Sequence, residues 1–157
     1  MRNFMLLLVL FLGLIIPACA EQATDQASPS AASAKPSEPG KPYTSVIIDT
    51  LGFKLDRCMS PKIRRVDGTE VWGTVKVDYD FLADHGIVAY VGTMDEAMKN
   101  PRCGTNPMII KASGISGGNF KSDPVLSNED ATLLLSEDGK GGFFAKFNVI
   151  FVKDGKL

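Results

Sequence analysis

The stretch from Tyr43 to Leu157 predicts a small single α+β domain, with about three short helices and a mixed, mostly antiparallel sheet. Three observations carry this reading: short β-branched apolar runs, two helix-capping signatures, and an Asp-Gly pair between strand-like arms. Ser45 to Asp49 is the first such run and predicts a strand. Lys62 to Val66 and Thr69 to Val77 flank Asp67-Gly68, a two-residue hairpin turn in which both positions would take positive φ. In the second arm Val71, Gly73, Val75 and Val77 alternate with Trp72, Thr74 and Lys76, so one face is buried and the other wet, with Trp72 the exception to test.

Asp78 or Asp80 caps a short helix that runs to about His85, where Gly86 stops it. Ile87 to Val91 then predicts a strand. Thr93-Met94-Asp95-Glu96 is a capping box that opens a second helix, and Asn100-Pro101 closes it. Met108 to Ala112 is another apolar strand. Ser127-Asn128-Glu129-Asp130 opens a third helix that places Ala131, Leu134 and Leu135 on one face. Gly139 to Gly142 then turns the chain into a C-terminal strand from Phe143 to Lys153. Phe143 and Phe144, being adjacent there, point opposite ways, which makes one of them, together with Trp72, a candidate contact for another protein.

The amino terminus has a different composition. Arg2 precedes an apolar run from Phe4 to Ile16, too short to span a bilayer, which needs about 20 residues, and Ile16-Pro17-Ala18-Cys19 follows. Residues 1–18 are expected to be a signal peptide, with Cys19 as the lipidation site. Ala18-Cys19-Ala20 also fits ordinary signal peptidase cleavage after Ala20, which would release a soluble periplasmic protein. Residues 19–42 are rich in Ala, Ser and Pro and form a tether on the order of 26 Å in coil dimension. The single globular domain is residues 43–157.

The Ile16 to Cys19 segment resembles the processing site of bacterial lipoproteins, with Pro17 departing from the usual small residue. That resemblance implies acyl chains on Cys19, membrane contact through them and, with Ala20 rather than aspartate next, the periplasmic side of the outer membrane. Export to an oxidising compartment leaves Cys58 and Cys103 as an expected disulfide, worth about 4 kcal/mol in the chain-entropy model. Two reduced buried thiols are the alternative.

Charge and motif spacing exclude several function classes. The chain carries 17 Lys plus Arg against 18 Asp plus Glu, a balance that recruits no nucleic acid. Lys62, Arg64 and Arg65 are the densest basic cluster, but Asp67 and Glu70 answer them, as on a solvated hairpin face. Gly114-Ile115-Ser116-Gly117-Gly118 matches the Gly-x-Ser-x-Gly nucleophile elbow in letters only: no helix can start at Asn119 to Pro124, and the sole histidine, His85, comes earlier in the chain. A flexible loop is expected there. On a helix Asp84 and His85 point about 100 degrees apart and do not converge on a metal. Asp138-Gly139-Lys140-Gly141-Gly142 lacks phosphate-loop spacing. No catalytic residue, metal site or cofactor is therefore assigned, and the chain is expected not to be an enzyme.

Val46-Ile47-Ile48-Asp49, Met59-Ser60-Pro61-Lys62-Ile63, Asp67-Gly68 to Trp72-Gly73, His85-Gly86, Asn100-Pro101-Arg102, Asn106-Pro107 and Ser127 to Ala131 together resemble a domain of uncharacterised envelope lipoproteins of Gram-negative bacteria. Some of these look like accessory proteins of flagella and other envelope machines. The resemblance implies a structural or protein-interaction module with an envelope protein partner, and transfers no active site. The alternative is a periplasmic small-ligand binder with a pocket near Trp72 or Tyr90.

Overall fold

The computed structural model describes residues 40–155. The expected signal peptide, Cys19 and most of the expected tether lie outside them. Among the described residues no helix is long and apolar enough to cross a membrane. Three helices and two four-stranded sheets build the α+β domain.

Four strands form the first sheet: β1 (Ser45–Asp49), β4 (Ala89–Val91), β5 (Pro107–Lys111) and β8 (Val149–Val152). They lie in the order β4-β8-β1-β5, and every pair is parallel. Mostly antiparallel pairing is thus corrected. The physical reason lies in the strands themselves: Val46-Ile47-Ile48, Met108-Ile109-Ile110 and Val149 to Val152 are unbroken apolar runs, as expected of strands covered on both faces, and such sheets are typically parallel. Val46, Ile48, Met108, Ile110, Val149 and Phe151 face the main core. Ile47, Val91, Ile150 and Val152 face the other side, under Ala97 and Cys103.

The second sheet joins β2 (Ile63–Arg65), β3 (Glu70–Trp72), β6 (Gly114–Ser116) and β7 (Asp123–Leu126) in the order β3-β2-β7-β6. Its outer pairs are antiparallel and its central pair, β2 with β7, is parallel. Gly114 to Ser116 is therefore an edge strand, where a flexible loop was expected. Pro124 is tolerated inside β7 because β2 pairs only with Val125 and Leu126 beyond it.

The Asp67-Gly68 hairpin forms by a different turn from the one expected. Gly68 N–H donates to the Arg65 carbonyl at 2.9 Å, and Gly68 has φ 86° while Asp67 is not among the positive-φ residues. This is a three-residue loop with glycine in the left-handed position. The Asp67 carboxylate accepts from Thr69 N–H at 2.8 Å and from its hydroxyl at 2.7 Å, which fixes the turn. β3 stops at Trp72 because Gly73, at φ 131°, presses against Pro61: a Cβ there would lie 2.6 Å from its carbonyl oxygen.

Helix α1 (Tyr79–His85) starts after Asp78, whose side chain makes no capping bond, and buries none of its residues fully. Helix α2 (Met94–Lys99) shows the Thr93 half of the capping box: Thr93 Oγ1 accepts from Glu96 N–H at 3.2 Å, whereas Glu96 accepts from Gly92 N–H at 2.8 Å, one residue before the N-cap. A 3-10 turn, Pro101–Cys103, follows. Helix α3 (Asn128–Gly141) is capped by Ser127, which accepts from Asp130 N–H at 3.0 Å. It buries Ala131 and Leu134, but Leu135 points outward at 42% exposure. It also runs through Gly139 and ends only at Gly142, in the left-handed region.

The chain then turns rather than extending, so the C-terminal strand is shorter than expected and begins at Val149. Phe143 and Phe144 are both buried, at 0% and 6% exposure. Leaving a turn instead of a strand, they need not face opposite ways, and both enter the main core.

Candidate functional site

Between α1 and the segment Arg57 to Met59 lies an open cleft of about 370 Å³. Tyr90 of β4 lines it from the sheet, His85 and Gly86 from the end of α1, and Arg57 and Met59 from the facing segment. The Tyr90 hydroxyl accepts from Cys58 N–H at 3.1 Å and donates to the Cys58 carbonyl at 3.0 Å, tying that segment to the sheet. Burial pushes the Tyr90 phenol up to about 12, against the lowering effect of its bond to Cys58. The Arg57 guanidinium lies 5.4 Å from the centroid of the same ring, a cation–π distance.

The other wall is held by Arg102. Its Nη2 donates to the carbonyls of His85 at 2.8 Å and Gly86 at 3.1 Å, where the helix ends in unsatisfied acceptors. Partial burial lowers the Arg102 pKa by desolvation, and its Nη1 is buried without a hydrogen-bond partner among the described residues. The His85 ring stacks on Phe81, centroids 4.9 Å apart and planes 16° apart. Phe81 in turn packs on Phe147 at 5.4 Å. Met59 remains 53% exposed at the rim, and Tyr79, on the same helix as His85, is 72% exposed.

The aromatic residues expected to meet a partner are spent inside the domain. Trp72 stacks on Phe144 with centroids 4.9 Å apart and planes only 9° apart, and Phe144 meets Phe143 edge-on at 5.0 Å. Trp72 is only partly buried, but Phe143 and Phe144 are core residues.

No disulfide joins Cys58 and Cys103. The Cys103 side chain belongs to the cluster with Ile47, Val91 and Ile150, whereas the Cys58 backbone is held by Tyr90, which packs on the main core. Successive residues of β4 face opposite sides of the sheet, so the parallel sheet stands between the two cysteines. The expected bridge is overturned by that placement.

The remaining motifs take structural roles. Ser116 ends β6 and is followed by a turn into β7 rather than by a helix. Lys62 pairs with Glu70 at 2.6 Å and Arg64 with Asp123 at 2.8 Å, while Arg65 donates to the Asn128 carbonyl at 3.1 Å. Among the described residues no group of three or more His, Cys, Asp or Glu is placed to hold a metal ion. Cys19 lies outside the described residues.

Residues 45–155 match the family model described as Treponema pallidum Tp0624, second domain. The chain belongs to that family. The match spans the first strand to the last and covers more than two thirds of the chain, so both the cleft and the core belong to the Tp0624 second-domain unit. No curated protein matches the chain. Tyr90, which lines the cleft, and Arg102, which holds the end of α1 beside it, carried little signal in sequence. The pocket alternative did name Tyr90, but Arg102 entered only within the Asn100-Pro101-Arg102 piece of the resemblance, with no role assigned.

Proposed function

We propose that the chain is a lipid-anchored, non-catalytic module of the bacterial envelope that holds a protein partner in the cleft between α1 and residues 57–59. One observation carries this reading: α1 buries none of its residues fully and leaves Tyr79 and Phe81 exposed, while its Leu82 to Gly86 end faces Arg57 and Met59 across the cleft. Aromatic residues, methionine and arginine are the types enriched at the centres of protein interfaces. The case against catalysis is that the His85 ring rests on Phe81 and the Tyr90 hydroxyl is committed to backbone.

The anchor in this proposal is Cys19, on the periplasmic side of the outer membrane. Mass spectrometry of the mature protein should find an acylated amino-terminal cysteine; an unmodified chain beginning at Glu21 would end that part of the reading. For the cleft, a photo-crosslinking residue at position 59 should give a discrete protein adduct in cells. The same probe at position 99, on α2 across the parallel sheet, should not. Equal labelling from both positions, or none from position 59, contradicts the proposed surface.

A small ligand is the second reading, favoured by a volume within the range of ligand pockets. It predicts a bound molecule in native mass spectra and no adduct from position 59.

A further inference from the structure

Between β1 and β2 the chain runs from Leu51 to Pro61 with no strand partner. Four of its backbone N–H groups, on alternate residues, donate to atoms well outside this segment. Gly52 and Lys54 reach one carboxylate oxygen of Asp154, at 2.6 and 3.4 Å. Asp56 reaches the Lys121 carbonyl at 2.9 Å, and Cys58 reaches the Tyr90 hydroxyl at 3.1 Å. The segment is thus a strap, held at three separate points rather than by a continuous ladder.

Little apolar burial adds to these bonds. From Leu51 to Ser60 only Leu55 is fully buried, whereas Val46, Ile47 and Ile48 of β1 are all buried and paired on both sides. Segments with few buried side chains and isolated hydrogen bonds open at a fraction of the free energy of global unfolding. Lys54 also takes φ 55°, a left-handed conformation that is unfavourable for a residue with a side chain and that opening releases.

The ends are fixed more firmly than the middle. Thr50, fully buried, donates to the Val152 carbonyl from its N–H at 2.9 Å and from its hydroxyl at 2.8 Å. At the other end Lys62 N–H donates to Asp123 at 3.1 Å, and Pro61 is packed under Gly73. Gly52, at φ 93° with open space around it, leaves the backbone free to pivot just past Thr50.

We propose that residues 51–61 open as one unit between these ends and form the moving wall of the cleft. Arg57, Cys58 and Met59 make that wall, while Leu82, Val88 and Tyr90 line the cleft from the body of the domain. Lifting the strap removes the Arg57 guanidinium from the Tyr90 ring, frees the Tyr90 hydroxyl from Cys58 and uncovers Val88. The strap then gates access to the apolar floor, as mobile loops do at other binding sites. That role as a gate rests on the cleft being the partner site.

Native-state hydrogen exchange of the full chain, followed by NMR in rising urea, tests the opening. The amides of Gly52, Lys54, Asp56 and Cys58 should share one protection factor, about a hundredfold below that of Val46 to Ile48, with a weaker dependence on urea. Tyr90→Phe, which removes one point of attachment, should speed exchange about tenfold at Cys58 and equally at Gly52 and Lys54, which Asp154 holds. Protection equal to that of β1, no protection at all four amides, or acceleration of Cys58 alone would each overturn the proposal. Exchange is measured on the chain without a partner, so it tests the strap independently of any crosslink at position 59.

Discussion

Tyr90 and Cys58 hold each other through one phenol oxygen, which accepts from the Cys58 N–H at 3.1 Å and donates to the Cys58 carbonyl at 3.0 Å. A side chain on the parallel sheet thereby completes the backbone bonding of a loop that has no strand partner. Tyr90→Phe removes both bonds without changing the ring, so the domain should lose about 1–3 kcal/mol, the cost of leaving partly buried backbone groups unpaired. Urea denaturation of the two proteins measures the difference. The same phenol sets an alkaline limit. Its folded value of about 12 lies above the ordinary phenol value of 10.0, so its contribution is intact below pH 10 and falls as pH rises toward 12. In Tyr90→Phe that part of the alkaline decline should disappear.

Asp123 supports a different corner. It is 5% exposed and accepts from Arg64 Nε, Lys62 N–H and Ser122 Oγ. Truncation to alanine would leave a partly buried guanidinium without its carboxylate, a change that costs about 3–5 kcal/mol in comparable buried pairs. Asp123→Asn keeps one acceptor oxygen, enough for the Lys62 and Ser122 donors though its amide nitrogen cannot accept from Arg64 Nε, and should cost less than alanine. If calorimetry shows Asp123→Ala to be no less stable than Asp123→Asn, the pair is not holding β2 to β7 as described.

The cysteines give a chemical test of the sheet's place between them. Cys103 is 1% exposed in its cluster, and Cys58 is partly accessible at the cleft. A thiol reagent should modify Cys58 in the folded protein and reach Cys103 only on unfolding. Cys58→Ser should shift stability by about 0.5 kcal/mol or less, far below the 2–5 kcal/mol lost when a native disulfide is removed. A large loss on that substitution would place the two side chains together after all.

Local signals in the sequence were strong enough to place β1, the caps of α2 and α3, and the stop of α1 at Gly86, because each depends on a few adjacent residues. Pairing was not legible in the same way. Val46-Ile47-Ile48 announces burial on both faces, but its neighbours Met108 to Ile110 and Val149 to Phe151 lie some sixty and a hundred residues away, and no local pattern names them. The Gly114 to Gly118 stretch looked like a loop because its edge strand is only three residues long and glycine-flanked. Phe143 and Phe144 were misplaced because α3 absorbed Gly139 and Gly141, which looked like turn residues. Tyr90 and Arg102 act on backbone atoms far along the chain, and a backbone partner leaves no residue type to recognise.

The two glycines inside α3 separate local preference from tertiary constraint, and they should respond to alanine with opposite signs. A Cβ on Gly139 would meet nothing within 4 Å, and the residue has no positive φ to protect. Gly139→Ala should therefore stabilise the helix, by about 0.5–1 kcal/mol, through the entropy glycine loses on folding. Gly141 is two residues further on and also helical, but there a Cβ would collide with the Tyr43 carbonyl at the entry to β1 and touch the Phe143 ring. Gly141→Ala must push that entry segment or the helix end aside, at a cost of about 1–3 kcal/mol. Thermal melts of both variants decide the matter: a rise for the first and a fall for the second means that α3 reaches Gly141 pressed against the segment before β1. Equal gains in both would mean that the helix ends free of it.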